Sequence, residues 1–226
     1  GLPGPFTGDL RTDRKGAVKL MEEIGDAVFG ELEMPDLGTH DLFEQFRGLI
    51  PTIVDAEIRR ADEGWTPAHL ESDFSWTPSG QSIAFSSKID RLDVAEDGGV
   101  AVLDYKTGST PPTKMINEGL RPQLFIGGLG VAHSKKLSGI VSQMSYYGLK
   151  PDSTKSQGIG TEDLTGKRGA TKCKTMLALL APYQELLERL VVELTAGQMT
   201  DLPAIPGDAC KYCPYDGICR KDEVSK

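Results

Sequence analysis

Two short runs carry the residues best suited to chemistry. Lys88-Ile89-Asp90-Arg91-Leu92-Asp93-Val94 is followed, across an acidic link ending in Gly98-Gly99, by Val100-Ala101-Val102-Leu103-Asp104-Tyr105-Lys106-Thr107-Gly108. Both read as strands. On the second, a period of two puts Val100, Val102, Asp104 and Lys106 on one face. A carboxylate and an ammonium thus end an apolar stripe, where burying charge without a function is costly. A link with an odd number of residues centred on Gly98 pairs Asp90 with Lys106 and Leu92 with Asp104. A two-residue link would turn Asp90 to the other face. Facing Cβ atoms lie ~4.5–5.5 Å apart and diagonal ones ~7–8 Å, so Asp90, Asp104 and Lys106 are expected to converge. Two such carboxylates suit Mg²⁺ or Mn²⁺, an ion that activates water and offsets charge on a phosphoryl oxygen. Lys106 is placed to orient that water or stabilise the transition state. A bare Asp-x-Lys is more often an exposed ion pair of little energetic value. The apolar stripe, the preceding Ile-Asp-Arg-Leu-Asp and the following Thr-Gly set this one apart.

The second constellation is Cys210-Lys211-Tyr212-Cys213, then Cys219 and Arg220, a C-x₂-C-x₅-C pattern. Three thiolates at this spacing can share one metal centre, and a tetrahedral site needs a fourth ligand. Cys173 is the other cysteine of the chain. Without a secretion signal, metal ligation is favoured over disulfides. A zinc knuckle and unligated thiols stay open. Gly160 to Lys167 fails the phosphate-loop spacing, and Arg168 stands where Ser or Thr is required. Lys135-Lys136, Lys167-Arg168, Lys172 and Lys174 can meet phosphates, although such runs are commonly just solvated.

The elements that must position these residues follow from periodicity. Apolar residues at 3–4 spacing predict helices over 14–34 and 40–63, the second containing Pro51. Strands are expected over 68–76, 81–95 and 99–106. A largely helical stretch spans 113–133, and a strand spans 137–149. Residues 150–170 read as a loop rich in Gly, Ser, Thr and Lys. Residues 172–197 form an amphipathic helix. This order predicts an α/β layer fold. The expected organisation is a helical part at 1–64, a core at 65–200 and a cysteine-rich segment at 201–226.

The 226 residues, 38% hydrophobic and 26% charged, suffice for one real core and exclude a disordered chain. The net charge of −8 argues against a generally basic nucleic-acid coat. The charge is uneven: residues 1–110 carry −11 and residues 111–226 carry +3. No apolar run approaches the ~18 residues of a membrane span. The N-terminus lacks a secretory pattern, so a cytoplasmic location without membrane partners is expected. The chain opens on Gly1 instead of Met, as a processed chain or a fragment does.

The stretch Ile89-Asp90-Arg91-Leu92-Asp93 with Asp104-Tyr105-Lys106-Thr107-Gly108 resembles the PD-(D/E)xK nuclease superfamily. It is most similar to the RecB/AddB-type nuclease domains of bacterial helicase–nucleases. Gly108-Ser109-Thr110-Pro111-Pro112-Thr113-Lys114, Gly119 and Pro122-Gln123-Leu124 extend the likeness to AddB. The resemblance implies a restriction-endonuclease-like core, a mixed β-sheet flanked by helices, with a C-terminal iron–sulfur appendage. It implies that Asp90, Asp104 and the Tyr105 carbonyl hold Mg²⁺ or Mn²⁺. Lys106 becomes the catalytic lysine and Gln123 the motif glutamine near the scissile phosphate. Arg91, Lys114 and Arg121 are the expected DNA contacts. Cys210, Cys213 and Cys219 become ligands of a [4Fe–4S] cluster whose fourth ligand lies upstream of residue 1, with Cys173 the less favoured substitute.

Relatives often carry Tyr four residues after the glutamine, where this chain has Gly127. They also carry a His in a Gly-x-x-x-His helix. Here Gly16 is followed by Leu20, and His40, His69 and His133 lie in other contexts, so that helix is expected upstream. The implied activity is metal-dependent exonucleolytic hydrolysis of DNA in double-strand break repair and recombination, beside an AddA-like helicase–nuclease subunit. A stand-alone iron–sulfur exonuclease of the CRISPR-adaptation type, or a catalytically degraded DNA-end-binding module, are the alternatives.

Overall fold

The computed structural model describes residues 9–31, 37–117, 121–137, 139–149, 155–160, 171–172 and 176–197. Two helices come first, α1 (Arg14–Gly30) and α2 (Leu37–Asp62, with Pro51 inside it). The Asp13 side chain caps α1 by accepting from Gly16 N at 2.9 Å. The helices pack through Ala17, Ile50 and Val54, with Val18, Met21, Phe46 and Ile58 around them. An exposed Arg14–Asp55 ion pair links the two helices and an Arg11–Asp62 pair ties the turn before α1 to the end of α2, where such pairs add little.

A six-stranded mixed sheet follows, in the spatial order of the chain. Its strands are β1 (Trp65–Trp76), β2 (Phe85–Ala95), β3 (Gly99–Lys106), β4 (Ile140–Gly148), β5 (Lys155–Gly160) and β6 (Thr171–Lys172). The first three pair antiparallel, β3 pairs with β4 parallel, β4 with β5 antiparallel and β5 with β6 parallel. A parallel neighbour needs a crossover. Here α3 (Thr113–Asn117) and α4 (Gln123–Ala132) supply it. The single helical stretch expected over 113–133 is therefore two helices, with Pro122 as the N-cap residue of the second. The expected loop at 150–170 contains β5, whose strand state comes from pairing with β4. The last helix is α5 (Met176–Thr195). The chain divides into two compact units, residues 1–184 and 185–226, so the helices of 1–64 share a unit with the sheet.

The helix that opens on Gln123 meets the sheet through glycines that leave no room for a side chain. A Cβ on Gly128 would lie 2.4 Å from Met144 Sδ, and one on Gly130 would lie 3.1 Å from Phe74 Cβ. Leu124, Phe125, Leu129 and Val131 are buried beside them. Gly127, the position of the missing Tyr, faces Ser87 and Ile89, where a Cβ would already be in contact at 3.5 and 3.6 Å. The start of β4 is equally tight. Ile140 N donates to Gly98 O at 3.0 Å. A Cβ on Gly139 would sit 2.4 Å from Val100 Cγ2 and 2.9 Å from Gly98 O. The backbone carbonyl cannot swing away without breaking the turn. Gly139→Ala is expected to destabilise by about 1–3 kcal/mol, read as a lower thermal midpoint. An unchanged midpoint would rule out this close approach.

Candidate active site

The β2–β3 register is Arg91 opposite Leu103, Leu92 opposite Val102, Asp93 opposite Ala101 and Val94 opposite Val100. The hairpin thus centres on Asp97, two residues from the expected pairing about Gly98. Gly98, with φ of 85°, closes the turn by donating to Ala95 O at 3.0 Å. A shift of two keeps parity, so Leu92 faces Val102 where Asp104 was expected.

The ladder stops short of Asp90. On the other side, Leu70 pairs with Arg91 and Ser72 with Ile89, which leaves Glu71 and Asp90 unpaired. Glu71 has φ of 46°, a left-handed conformation rare for such a residue. Ile89 and Arg91 are two apart, yet Ile89 lies against Gly127 of α4 while Arg91 bonds Glu57 of α2. They point to opposite faces, so the strand is irregular between them. Irregularities of this kind re-aim a side chain. Here the Asp90 carboxylate turns toward β3, where Oδ2 accepts from Tyr105 N at 2.7 Å.

Asp104 ends the buried stripe of β3 at 6% exposure. It forms an ion pair with Lys106, whose Nζ also donates to Gln123 Oε1 at 3.3 Å. The ammonium sits 5.2 Å from the ring centroid of buried Tyr146. Burial pushes the Asp104 carboxyl up from its ordinary range; Lys106 opposes this, and the negative charge of Asp90 adds to it. Four of the expected residues therefore meet: Asp90, Asp104, Lys106 and Gln123. Tyr146 was missed. Its signal is its place directly opposite Asp104 in the parallel ladder, which becomes visible only once β3 and β4 are paired.

The donor chemistry fits a hard divalent cation. Asp104 Oδ2 is buried and, among the described residues, has no hydrogen-bond partner of good geometry beside its ion contact with Lys106. Among the described residues no group of three or more His, Cys, Asp or Glu side chains could hold a metal. Two carboxylates and a main-chain carbonyl are enough for Mg²⁺, which keeps several of its waters.

Arg91 is corrected. It is 5% exposed and lies in a buried network, so it does not contact DNA. Nε donates to Asp93 Oδ1 at 2.5 Å and Nη2 to Asp93 Oδ2 at 3.0 Å. Nη1 and Nη2 hold Glu57 at 2.7 and 2.8 Å. Burial opposes the Arg91 charge, but the hydrogen bonds to Glu57 and Asp93 outweigh it and raise its pKa. Arg60 Nε joins at Asp93 Oδ2, 2.6 Å. Lys114 and Arg121 are exposed, on α3 and just before α4. Lys136 Nζ donates to Asp73 O at 3.1 Å. The positions 173, 210, 213 and 219 of the cysteines lie outside the described residues, as do Lys167, Arg168 and Lys174.

A buried carboxylate with a raised pKa has a stability signature. Its folded pKa lies above the unfolded one, so its contribution is fully present below the unfolded value and lost as pH rises through the folded value. At neutral pH, Asp104→Asn is therefore expected to raise metal-free stability by about 1 kcal/mol. The gain should shrink toward acid, in melts run in chelator. A lower midpoint at neutral pH would contradict the burial argument.

No described helix is long and apolar enough to cross a membrane. In comparisons with known proteins, the family model described as PD-(D/E)XK nuclease superfamily matches residues 8–220. An uncharacterized protein of Rickettsia bellii (strain RML369-C) is 32% identical over 72 residues, 29% of this chain and 9% of that protein. One from Rickettsia typhi (strain ATCC VR-144 / Wilmington) is 44% identical over 48 residues, 21% of this chain and 6% of its own length. The aligned stretches are thus small parts of both relatives. The crystal structure of SSO0001 aligns over 90% of this chain and 81% of its own, with 11% identity and a TM-score of 0.26. The mixed sheet flanked by helices is consistent with the restriction-endonuclease-like α/β fold. With a match that runs from before α1 to beyond α5, the chain belongs to the PD-(D/E)XK nuclease superfamily.

Proposed function

We propose that this chain is a Mg²⁺- or Mn²⁺-dependent deoxyribonuclease. The observation that carries the reading is the meeting of Asp90, Asp104, Lys106 and Gln123 where two strands part beside the start of α4. Asp90, Asp104 and the Tyr105 carbonyl are the groups that would hold the ion. Such an ion supplies a water of lowered pKa and offsets charge on the phosphoryl oxygen. Lys106 Nζ carries the positive charge of the site and, released from Asp104, can donate to the attacking water or a phosphate oxygen. Gln123 Oε1 accepts from that ammonium and keeps it at the mouth of the site. Lys114 and Arg121 are the exposed cations proposed to meet the DNA backbone.

The biological role we infer is exonucleolytic processing of DNA ends in double-strand break repair and recombination. The chain would act as the nuclease part of a longer AddB-like subunit in the cytoplasm, partnered by an AddA-like helicase–nuclease. The likeness of Gly108 to Leu124 to AddB supports this, as does the much greater length of the relatives. Cys210, Cys213 and Cys219 are read as ligands of a [4Fe–4S] cluster because the resemblance to AddB-type nucleases implies it, with the fourth ligand upstream. The test is digestion of linear duplex DNA with Mn²⁺ by the wild type and by Asp104→Asn, the same variant that gains stability. Cleavage by the wild type alone supports the reading. Equal rates would overturn it.

A further inference from the structure

Resting on that reading, we propose that the Arg91–Tyr105 hydrogen bond, anchored by Glu57 of α2, clamps the two carboxylate-bearing strands from behind and sets the metal affinity of the site. The backbone ladder between β2 and β3 ends at Arg91 and Leu103. The next positions on each strand, Asp90 and Asp104, are the candidate ligands, so backbone hydrogen bonds do not fix their separation. Two side-chain bonds take over. In front, Asp90 Oδ2 accepts from Tyr105 N at 2.7 Å. Behind, Arg91 Nη1 donates to the Tyr105 hydroxyl at 3.1 Å. Arg91 directly follows Asp90, and Tyr105 directly follows Asp104, so this bond ties the neighbours of both ligands together.

The anchor is rigid for a reason that can be counted. Every N–H of the Arg91 guanidinium has an acceptor: Asp93 twice, Glu57 twice and Tyr105 once. A guanidinium with all its donors engaged cannot turn without losing several charged bonds. Glu57 fixes it to α2, and Asp93, fully buried, is held again by Arg60. Groups that orient ligands without touching the ion commonly change affinity ~10–100-fold when removed. Arg91, Glu57 and the Tyr105 hydroxyl are positioning groups in this sense.

Tyr147 provides the control. It is buried on the neighbouring strand, its ring packs edge-on against Tyr105 with centroids 5.5 Å apart, and its hydroxyl has no hydrogen-bond partner among the described residues. The experiment is titration of the metal-free chain with Mn²⁺ alone, followed by calorimetry, for wild type, Tyr105→Phe, Glu57→Gln and Tyr147→Phe. Tyr105→Phe is expected to weaken Mn²⁺ binding ~10-fold and Glu57→Gln in the same direction. Tyr147→Phe should bind as the wild type does. Should Tyr105→Phe fold poorly, Glu57→Gln carries the test, since it leaves Tyr105 intact. Wild-type affinity in both Tyr105→Phe and Glu57→Gln, or an equal loss in Tyr147→Phe, overturns the clamp and leaves the nuclease reading standing. No Mn²⁺ binding by the wild type overturns both.

Discussion

Lys106→Met is expected to lower the rate of DNA cleavage at saturating Mn²⁺ by ~10²–10³-fold, the usual effect of removing one preorganised charge from a transition state. The reason lies in what surrounds Nζ. The ammonium touches Asp104, Gln123 Oε1 and the face of Tyr146, and its side chain is 32% exposed. It is thus a partly exposed cation next to two carboxylates that a metal would occupy. Methionine keeps the length and the packing against Tyr146 and removes the charge. Mn²⁺ affinity should not fall, because a positive neighbour repels the ion. Cleavage and binding therefore separate: turnover drops while the titration of Mn²⁺ stays the same or tightens. Lys106→Arg should rescue little, since a planar guanidinium cannot reproduce a point charge set between Asp104 and Gln123. Single-turnover rates with binding isotherms make the distinction. An undiminished rate would remove Lys106 from the mechanism, and a collapse of affinity would make its role structural.

The sequence announced the site better than it announced the support behind it. Period two on β3 was enough to align Asp104 with Lys106, and the odd-length link carries that parity as far as Leu92, beyond which the irregularity of β2 aims Asp90. The observed pairing lies two residues from the expected one because the expected turn centres on Gly98. Gly98 is instead the last residue of the turn, the position that needs a positive φ. Parity absorbed the error. The irregularity at Glu71 and Asp90 left no trace in the sequence, because neither residue is a glycine and both fit a regular strand. The expectation for Arg91 fails for a plainer reason: a cation beside a metal site suggests phosphate. The same alternation that grouped Asp104 with Lys106 puts Arg91, Asp93 and Tyr105 on the opposite side, which was the available signal. Its partner Glu57, and Arg60, which shares Asp93 with it, lie on α2, more than thirty residues away, and no local pattern joins them to the strand. Residues 155–160 read as loop in the sequence since Lys-Ser-Gln-Gly-Ile-Gly has no apolar alternation; pairing with β4 decides their state.

Arg91→Ala is expected to be the most destabilising of these substitutions, by about 3–5 kcal/mol. Removing the guanidinium leaves Glu57 without its bidentate partner and leaves Asp93, at 0% exposure, with Arg60 as its one ion-pair partner among the described residues. The penalty arises from carboxylates stranded away from water more than from the attraction lost. That asymmetry makes a second, sharper expectation. Glu57→Leu combined with Arg91→Met removes a charge of each sign together and leaves the Arg60–Asp93 pair in place. Replacing a buried pair by apolar side chains of similar size is commonly close to neutral, so the double variant should recover most of the lost midpoint. It should not recover Mn²⁺ affinity, because the Tyr105 hydroxyl still lacks its donor. Stability and positioning are thus separable within one network. The double variant also tests the placement of Arg91 directly. A phosphate contact would contribute a slope of about −0.9 to the plot of log affinity against log salt. If Arg91 is buried as described, the salt dependence of DNA binding by the double variant matches that of the wild type. A slope shallower by that amount would put the guanidinium on the DNA and refute the network.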